Sequence, residues 1–177
     1  MSLSRRIKEL SPSSTLQITS LAKKLASEGL DVVSFGAGEP DFDTPEFIKE
    51  AAIEAIRQGF TKYTPSTGTI ELRKAIQEKF KKDNNLSYSL EQIVVSSGAK
   101  HSLYNIVVAL VDDNDEVIIP VPYWVSYPEM VKAAGGLSRF IVAKEENNFK
   151  ITPAELKKAI SQKTKVLIIN SPSNPTG

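Results

Sequence analysis

Residues 96–102, SSGAKHS, place hydroxyls, a glycine and a lysine where a short apolar strand meets a helix. The β-branched run Ile93–Ser96 predicts the strand, and apolar residues spaced i, i+3, i+4 and i+7 from Leu103 predict the helix. The first N–H groups of a helix lack partners inside it, and its dipole adds positive charge, so a phosphate fits there. Lys100 adds a full charge. An ordinary strand–helix turn with serine N-caps is equally compatible, because no Walker or dinucleotide glycine pattern is present.

A second segment that could contribute to a binding site is PVPYWVSYPEM, residues 120–130. It places Trp124 just past the predicted strand Glu116–Ile119. Ligands of open α/β sheets bind at the carboxyl ends of the strands. A tryptophan in that position can act as a flat platform for a ring. Packing in the core is the competing interpretation for any single aromatic residue.

The third segment is SPSNPTG, residues 171–177, directly after the apolar run at the end of the sequence. Pro175 biases Asn174 toward an extended backbone, which fixes the direction of its side-chain amide. That amide can donate a hydrogen bond to a phenolate-type oxygen. A turn that merely reverses the chain is the alternative.

Other polar features carry less chemistry by themselves. The glycines of FGAGEPDF, residues 35–42, and the tyrosine of KYTPSTG, residues 62–68, are typical of plain loops as well as of ligand contacts. His101 is the only histidine and is interpreted as structural. The sequence has no cysteine, which excludes disulfides, zinc ribbons and thiol nucleophiles, and we predict no metal site.

The composition of the 177 residues suits one domain, or one domain with a short appendage. A formal net charge of +1 argues against a general electrostatic grip on nucleic acid or on a membrane. The apolar runs are too short for a membrane span, and the N-terminus MSLSRRIKELSPSS lacks the apolar segment of a signal peptide. We therefore expect a cytoplasmic protein whose partners include neither nucleic acid nor membrane.

The elements that must position these residues alternate between strand and helix from Ser89 onward, which predicts an α/β fold with a mostly parallel sheet and flanking helices. The predicted strands are Ile93–Ser96, Glu116–Ile119, Arg139–Val142 and Lys165–Ile169. Helices are predicted from Leu103, over Tyr127–Ala134, and after Thr152 as N-cap with Pro153 at the first position.

The first part of the chain follows a different pattern, with helices that are not separated by strands. Helices are predicted over Leu16–Leu25, from Thr44 as N-cap, and over Thr69–Lys82, with a brief strand at Asp31–Phe35. The apolar residues predicted to face inward on the second and third helices are Phe47, Ala51, Ala55, Ile56, Leu72, Ile76 and Phe80. These helices are expected to pack on the sheet behind an N-terminal arm.

Five ordered motifs together carry a resemblance that none of them carries alone: AGEPDFDTP, KYTPSTG, SSGAKHSLYN, PYWVSYPEM and NSPSNPTG. In this order they resemble the fold-type I, pyridoxal-phosphate-dependent aminotransferases of class I. Within that class the likeness is greatest to the bacterial aspartate and aspartate/prephenate subgroup. The resemblance covers essentially the whole chain. It implies an N-terminal arm with part of the small domain over residues 1–43, and the first part of the cofactor-binding large domain over residues 44–177.

The resemblance also implies a cofactor, pyridoxal 5'-phosphate, and roles for particular residues. Gly98, Ala99 and Lys100 correspond to the phosphate cup, with backbone N–H groups as donors. Trp124 corresponds to the aromatic residue that stacks on the pyridine ring. Asn174 corresponds to the asparagine that binds the phenolic oxygen of the cofactor and lies near the substrate carboxylate.

Further implied roles concern the substrate and the neighbouring subunit. Gly38 matches the loop glycine that borders the substrate α-carboxylate. Lys100 matches a lysine linked with acidic substrates, for which a fixed cation is physically suitable. Tyr63 matches a tyrosine that reaches the phosphate of the neighbouring subunit, so a homodimer with shared sites is expected.

The catalytic residues of the family lie after the motif NPTG. They are the lysine that carries the cofactor, the aspartate that pairs with the pyridine nitrogen and the arginine that clamps the α-carboxylate. We therefore expect no catalytic residue within residues 1–177 and interpret the chain as the N-terminal part of an aspartate aminotransferase. In that enzyme class the amino group passes between aspartate and 2-oxoglutarate.

Two other readings stay open from the sequence. The substrate could be another amino acid, such as one related to prephenate, an aromatic one or an alanine-like one. Alternatively, the 177 residues could form a non-catalytic phosphate-binding module. A nucleotide-binding module is disfavoured by the missing glycine patterns.

Overall fold

The computed structural model describes residues 2–177 and contains a three-stranded parallel sheet in the order β2-β1-β3. The central strand β1 (Glu116–Val121) pairs with β2 (Leu137–Val142) on one side and with β3 (Thr164–Leu167) on the other. In this register Ile118 lies between Arg139 of β2 and Leu167 of β3. The predicted parallel α/β arrangement with these strands is confirmed.

The core is built around β1, whose residues Val117–Ile119 have no solvent exposure. A central strand of a parallel sheet is covered on both faces, which explains an apolar run without polar alternation. Helix α5 (Ala99–Leu110) contributes the buried Val107, and helix α6 (Ser126–Ala134) contributes the buried Val131. The residues that follow β1 are therefore held by a packed core.

Local signals in the sequence define several helix ends as predicted. Helix α7 (Pro153–Ala159) begins with a capping box in which the backbone N–H of Glu155 donates to Thr152 Oγ1 at 3.2 Å. The Glu155 carboxylate in turn accepts the Thr152 N–H at 2.7 Å. Helix α4 (Ile70–Asn84) begins after Thr69, whose hydroxyl accepts the N–H of Leu72. Such caps satisfy N–H groups that have no partner within the helix.

Helix α3 (Glu46–Arg57) begins later than predicted. Pro45 occupies the N-cap position and makes no side-chain cap, so the prediction of Thr44 as N-cap is wrong. Thr44 instead donates its own N–H to the neighbouring carboxylate of Asp43 at 2.8 Å. At the other end, Gly59 has φ +77° just past the helix, which confirms the predicted stop.

The N-terminal region contains helices α1 (Arg5–Glu9) and α2 (Ser14–Ser27). Helix α2 was predicted, whereas the short α1 was not. Turns of 3₁₀ helix occur at Leu90–Gln92 and Glu145–Asn147. None of the helices formed by residues 2–177 is both long and apolar enough to cross a bilayer.

Two predicted strands, Asp31–Phe35 and Ile93–Ser96, are absent from the sheet. Ile93 has extended backbone angles, φ −115° and ψ 122°, but the segment pairs with no other strand in the part of the chain that the structure describes. Its Val95 N–H donates instead to the carbonyl of Thr67 at 3.0 Å. An extended segment becomes a strand only when a neighbour completes its ladder, so both predictions are wrong.

The chain divides into two compact units, one formed by residues up to Ala37 with Lys100–Gly177, the other by Gly38–Ala99. The sheet and helices α1, α2, α6 and α7 belong to the first unit. The predicted boundary between residues 43 and 44 stays a prediction.

The second unit holds α3 and α4 and buries few apolar side chains. The predicted inward face of α3 is wrong, because Phe47 is 75% exposed and Ile56 is 66% exposed. On α4, Leu72 is exposed as well, whereas Phe80 contacts the Tyr88 ring edge-on at 5.7 Å between centroids. An amphipathic pattern shows which face is apolar but does not supply the surface that covers it.

Candidate functional site

The start of helix α5 is the first component of the site. Gly98 has φ +82°, and a methyl group built on it would meet no atom within 4 Å, so the space beside this backbone is open. The first turn of α5 carries no acidic side chain and includes Lys100. The N–H groups of Ala99 and Lys100 lie in that first turn, where a helix offers no internal acceptor. The donors, the open space and the charge together suit an anion such as a phosphate.

One detail of this loop differs from the expectation. The Gly98 N–H donates to the carbonyl of Ser96 at 2.8 Å. In this conformation the glycine shapes the turn through its positive φ, and the N–H groups available to a ligand are those at the helix start.

The side chains of Lys100 and Trp124 contact each other in the structure. The ammonium of Lys100 lies over the Trp124 ring, 4.9 Å from its centroid. Trp124 is half-buried, and its ring meets Tyr127 at 87° with 5.4 Å between centroids. Burial raises the pKa of the Tyr127 phenol, as expected for a core side chain. Trp124 therefore packs against the core and also presents a surface to a cation.

A cavity of about 830 Å³ opens beside Lys100 within the first unit. Its walls come from residues 10–14, α5, α6 and β2, and they include Lys100, Tyr104, Tyr123, Glu129, Ser138 and Phe140. The rings of Tyr123 and Phe140 stack at 5.1 Å with 14° between their planes. The hydroxyl of Ser138 is buried and has no hydrogen-bond partner among the described residues. The cavity thus combines apolar walls with a few polar groups, which is the usual character of a small-molecule site.

Glu129 on α6 is a residue of this cavity that the sequence did not suggest. Its carboxylate accepts the backbone N–H of Ser11 at 2.9 Å and pairs with Lys132 at 2.8 Å. Burial acts to raise the pKa of the Glu129 carboxyl, but the hydrogen bonds from Lys132 and Ser11 and the charge of Lys132 outweigh it and lower the pKa. The spacing of Glu129 and Lys132 on one helix face was a readable signal, whereas the contact with Ser11 was not.

Asn174 lies in the turn after β3. The Gly177 N–H closes this turn on the carbonyl of Ser173 at 2.8 Å, and Asn174 itself is exposed. The ladder of β3 extends past its last residue, since the Ile168 N–H donates to the Ile118 carbonyl at 3.0 Å. The residue Ile168, shortly before the turn, is thereby attached to the central strand. The role of Asn174 toward a cofactor stays a prediction.

Gly38 and Tyr63 belong to the second unit. An added methyl group at Gly38 would meet nothing within 4 Å, and the side chain of Tyr63 is fully exposed. Both residues are therefore accessible to a ligand or a partner, and their roles stay predictions. In the same unit Gly68 has φ +98° and lies against Val95, the residue directly before the serine-rich loop that begins at Ser96.

Comparison with known proteins supports the resemblance that the five sequence motifs carry. The family model described as aminotransferase class I and II matches residues 30–177. Aspartate aminotransferase of Bacillus subtilis (strain 168) is 55% identical over 177 residues, covering 100% of this chain and 45% of the relative. A probable aspartate/prephenate aminotransferase of Rhizobium leguminosarum bv. phaseoli is 54% identical over 175 residues, covering 99% of this chain and 44% of the relative.

Among solved structures, aspartate aminotransferase from Thermus thermophilus with maleate superimposes with a TM-score of 0.96 at 47% identity. The match covers 99% of this chain and 46% of that one. The chain spans about 45% of the length of the curated relatives that it matches. The resemblance of the five motifs is confirmed, and the chain belongs to the family of class I and II aminotransferases.

Proposed function

We propose that this chain forms part of an aspartate aminotransferase, which transfers the amino group of L-aspartate to 2-oxoglutarate with pyridoxal 5'-phosphate as cofactor. The observation that carries the proposal is the pairing of Lys100 with Trp124 at the start of α5. It places a cation and a flat aromatic surface next to amides suited to a phosphate. The identities of 54–57% to relatives named aspartate aminotransferase support the same reaction.

The residues present fit the cofactor at its phosphate and at its ring. The open space beside Gly98 accommodates an anion, and the first-turn amides of Ala99 and Lys100 supply donors to it. The half-buried Trp124 is held by the core, so it can fix the plane of a ring that stacks on it. The amide of Asn174 would donate to the phenolic oxygen and stabilise negative charge there.

Bound pyridoxal phosphate would supply the electron sink that the transfer of an amino group requires. The residues of this chain would bind the cofactor and the substrate and orient them. The flexible side chain of Lys100 can leave the ring and meet the distal carboxylate of an acidic substrate, while its backbone N–H serves the phosphate. The backbone of Gly38 would border the α-carboxylate.

We further propose a homodimer, in which Tyr63 reaches the cofactor phosphate of the neighbouring subunit. The full exposure of Tyr63 supports this role, because a side chain that serves a partner must project from its own subunit. The domain boundary near residue 43 and the cytoplasmic location belong to the same proposal.

The deciding experiment is an assay of the full-length protein with L-aspartate and 2-oxoglutarate, following oxaloacetate formation. Tyrosine and alanine are compared as amino donors to 2-oxoglutarate by following glutamate formation, and prephenate is compared as an amino acceptor from aspartate. Turnover with aspartate at the highest kcat/KM supports the proposal, and absence of turnover with aspartate rejects it.

A second candidate is an enzyme that also accepts prephenate. Relatives with aspartate/prephenate in their names, at 51–54% identity, favour this breadth. Comparable kcat/KM values for the transfer from aspartate to 2-oxoglutarate and to prephenate would identify it.

A non-catalytic phosphate-binding module is the third candidate. Borohydride reduction of the full-length protein with pyridoxal phosphate, followed by peptide mapping, tests it. One stoichiometrically modified lysine contradicts the module.

A further inference from the structure

The segment of residues 10–14 forms one wall of the cavity beside Lys100. Residues 10–13 have no regular structure, and Ser14 is the first residue of α2. The hydroxyl of Ser13 caps α2 by accepting the N–H of Leu16. Short irregular segments are held in place by specific contacts rather than by a ladder of their own. The position of this wall therefore depends on what attaches it to the rest of the first unit.

Side-chain contacts attach the N-terminal region at places that differ in character. Arg6 meets Asp113 at 3.3 Å, but both side chains are more than half exposed, and such pairs contribute little. The Ser11 N–H donates to Glu129 at 2.9 Å inside the cavity wall, where the Glu129 side chain is 28% exposed. A hydrogen bond from a backbone amide to a partly buried carboxylate is charge-assisted and stronger than a bond between neutral groups.

Lys132 completes this attachment from the same helix. Its ammonium lies 2.8 Å from the other carboxylate oxygen of Glu129 and fixes the rotamer that Ser11 meets. One carboxylate oxygen of Glu129 thus pairs with Lys132 on α6, and the other accepts the N–H of Ser11 in the cavity wall. We propose that Glu129 is a positioning residue, which holds residues 10–14 against α6 and thereby sets the shape of the cavity beside Lys100 and, through Lys100, the affinity for L-aspartate. The affinity part of this inference rests on the proposed function.

In the full-length protein, substitutions at Glu129 should change the amide exchange of residues 10–14 according to how many acceptor oxygens they keep. Glu129→Met keeps the length of the side chain but removes both acceptors, so exchange of the Ser11, Ser13 and Ser14 amides with deuterium should become about tenfold faster. Glu129→Gln keeps one acceptor oxygen and should restore most of the protection. Asp113→Asn, which removes the exposed pair with Arg6, is the matched control and should leave these amides within about twofold of wild type.

Kinetics separate positioning from a general loss of structure. Glu129→Met should raise KM for aspartate about tenfold while kcat stays within about twofold, because the ground-state fit is loosened and the reacting groups are untouched. Glu129→Gln should show a smaller rise in the same direction.

The results of these measurements separate the role of Glu129 from the proposed function. Unchanged amide exchange in Glu129→Met, or a fall in kcat with constant KM, overturns the role of Glu129. If Glu129→Met does not fold, as judged by circular dichroism, Glu129→Ala, which also lacks both acceptor oxygens, takes its place, and amide exchange in Glu129→Ala equal to that in Asp113→Asn overturns it. Absence of aspartate turnover in the wild type rejects the proposed function, whereas the exchange data still decide the attachment of residues 10–14.

Discussion

The ammonium nitrogen of Lys100 lies 4.9 Å from the centroid of the Trp124 ring. Lys100 stands in the first turn of α5, and Trp124 follows the central strand β1, so the sheet brings together residues from two separate sequence motifs. A cation over an indole contributes about 0.5–2 kcal/mol, depending on its desolvation. The pair is therefore a stable local arrangement as well as a candidate site.

The first prediction concerns Trp124 as a ring platform. Trp124→Ala should weaken pyridoxal phosphate binding by the full-length protein about tenfold, and Trp124→Phe should weaken it less, because an aromatic face contributes roughly 0.5–1.5 kcal/mol beyond its area. Equilibrium dialysis measures the affinity. Phe149→Ala removes an exposed aromatic residue as a control. Equal affinity of Trp124→Ala and wild type would contradict the platform role.

The second prediction concerns the contact of Gly68 with Val95. A methyl group at Gly68 would lie 2.6 Å from Val95 Cγ2, and the positive φ of +98° adds strain. Gly68→Ala should lower the free energy of unfolding by about 2 kcal/mol or more. Gly59→Ala is the matched control, because Gly59 has φ +77° but open space around it, and it should cost about 1 kcal/mol. Urea denaturation compares the two, and equal losses would show that crowding by Val95 is unimportant.

The third prediction concerns the pH dependence of the contact between Glu129 and Ser11. The pKa of the folded-state carboxyl lies below its ordinary value of 4.5, so its stabilising effect is complete above that value and is lost as the pH falls through the lower, folded pKa. Lys132 and the Ser11 amide face this carboxylate, and Lys100 lines the same cavity. The difference between the urea midpoints of wild type and Glu129→Gln should therefore be constant from pH 7 down to about 4.5 and shrink as the pH is lowered further. A constant difference between the two variants would show that Glu129 is not responsible.

The fourth prediction concerns the core around β1. Ile119 has no solvent exposure, and Ile119→Ala should lower the free energy of unfolding by about 2–5 kcal/mol through lost burial and a residual cavity. Ile160 is 55% exposed and provides the same substitution at the surface. Ile160→Ala should change stability by about 0.5 kcal/mol or less. Similar losses at both positions, measured by urea denaturation, would contradict a core centred on β1.

Sequence patterns predicted the elements that are determined by interactions between residues close together in the chain. The capping box of Thr152 and Glu155 is contained within one helical turn, and Gly135 ends α6 with φ +92° as the pair of glycines indicated. The succession of strands along the chain was readable, most clearly for β1, whose apolar run is buried.

Features that depend on distant partners were beyond the sequence. Ile93–Ser96 has the composition of a strand, yet it pairs with no other strand among residues 2–177. The contact between Ser11 and Glu129 joins positions far apart in the chain, and no local pattern encodes it. For the site, residue types indicated a phosphate at the start of α5 and a ring at Trp124, while the roles of the remaining residues came from the resemblance.

The central position of β1 has a consequence for the order of folding. Its partner β2 follows in the chain after the single helix α6, whereas β3 lies farther along the chain. Closing the shorter loop costs less entropy, so we expect β1, α6 and β2 to form the folding nucleus and β3 to dock afterwards. Val131→Ala on α6 should then mainly slow refolding, while Val166→Ala on β3 should mainly accelerate unfolding, as stopped-flow kinetics would show. During synthesis, the strand that leads to Trp124 would be set in place before the turn that carries Asn174 leaves the ribosome.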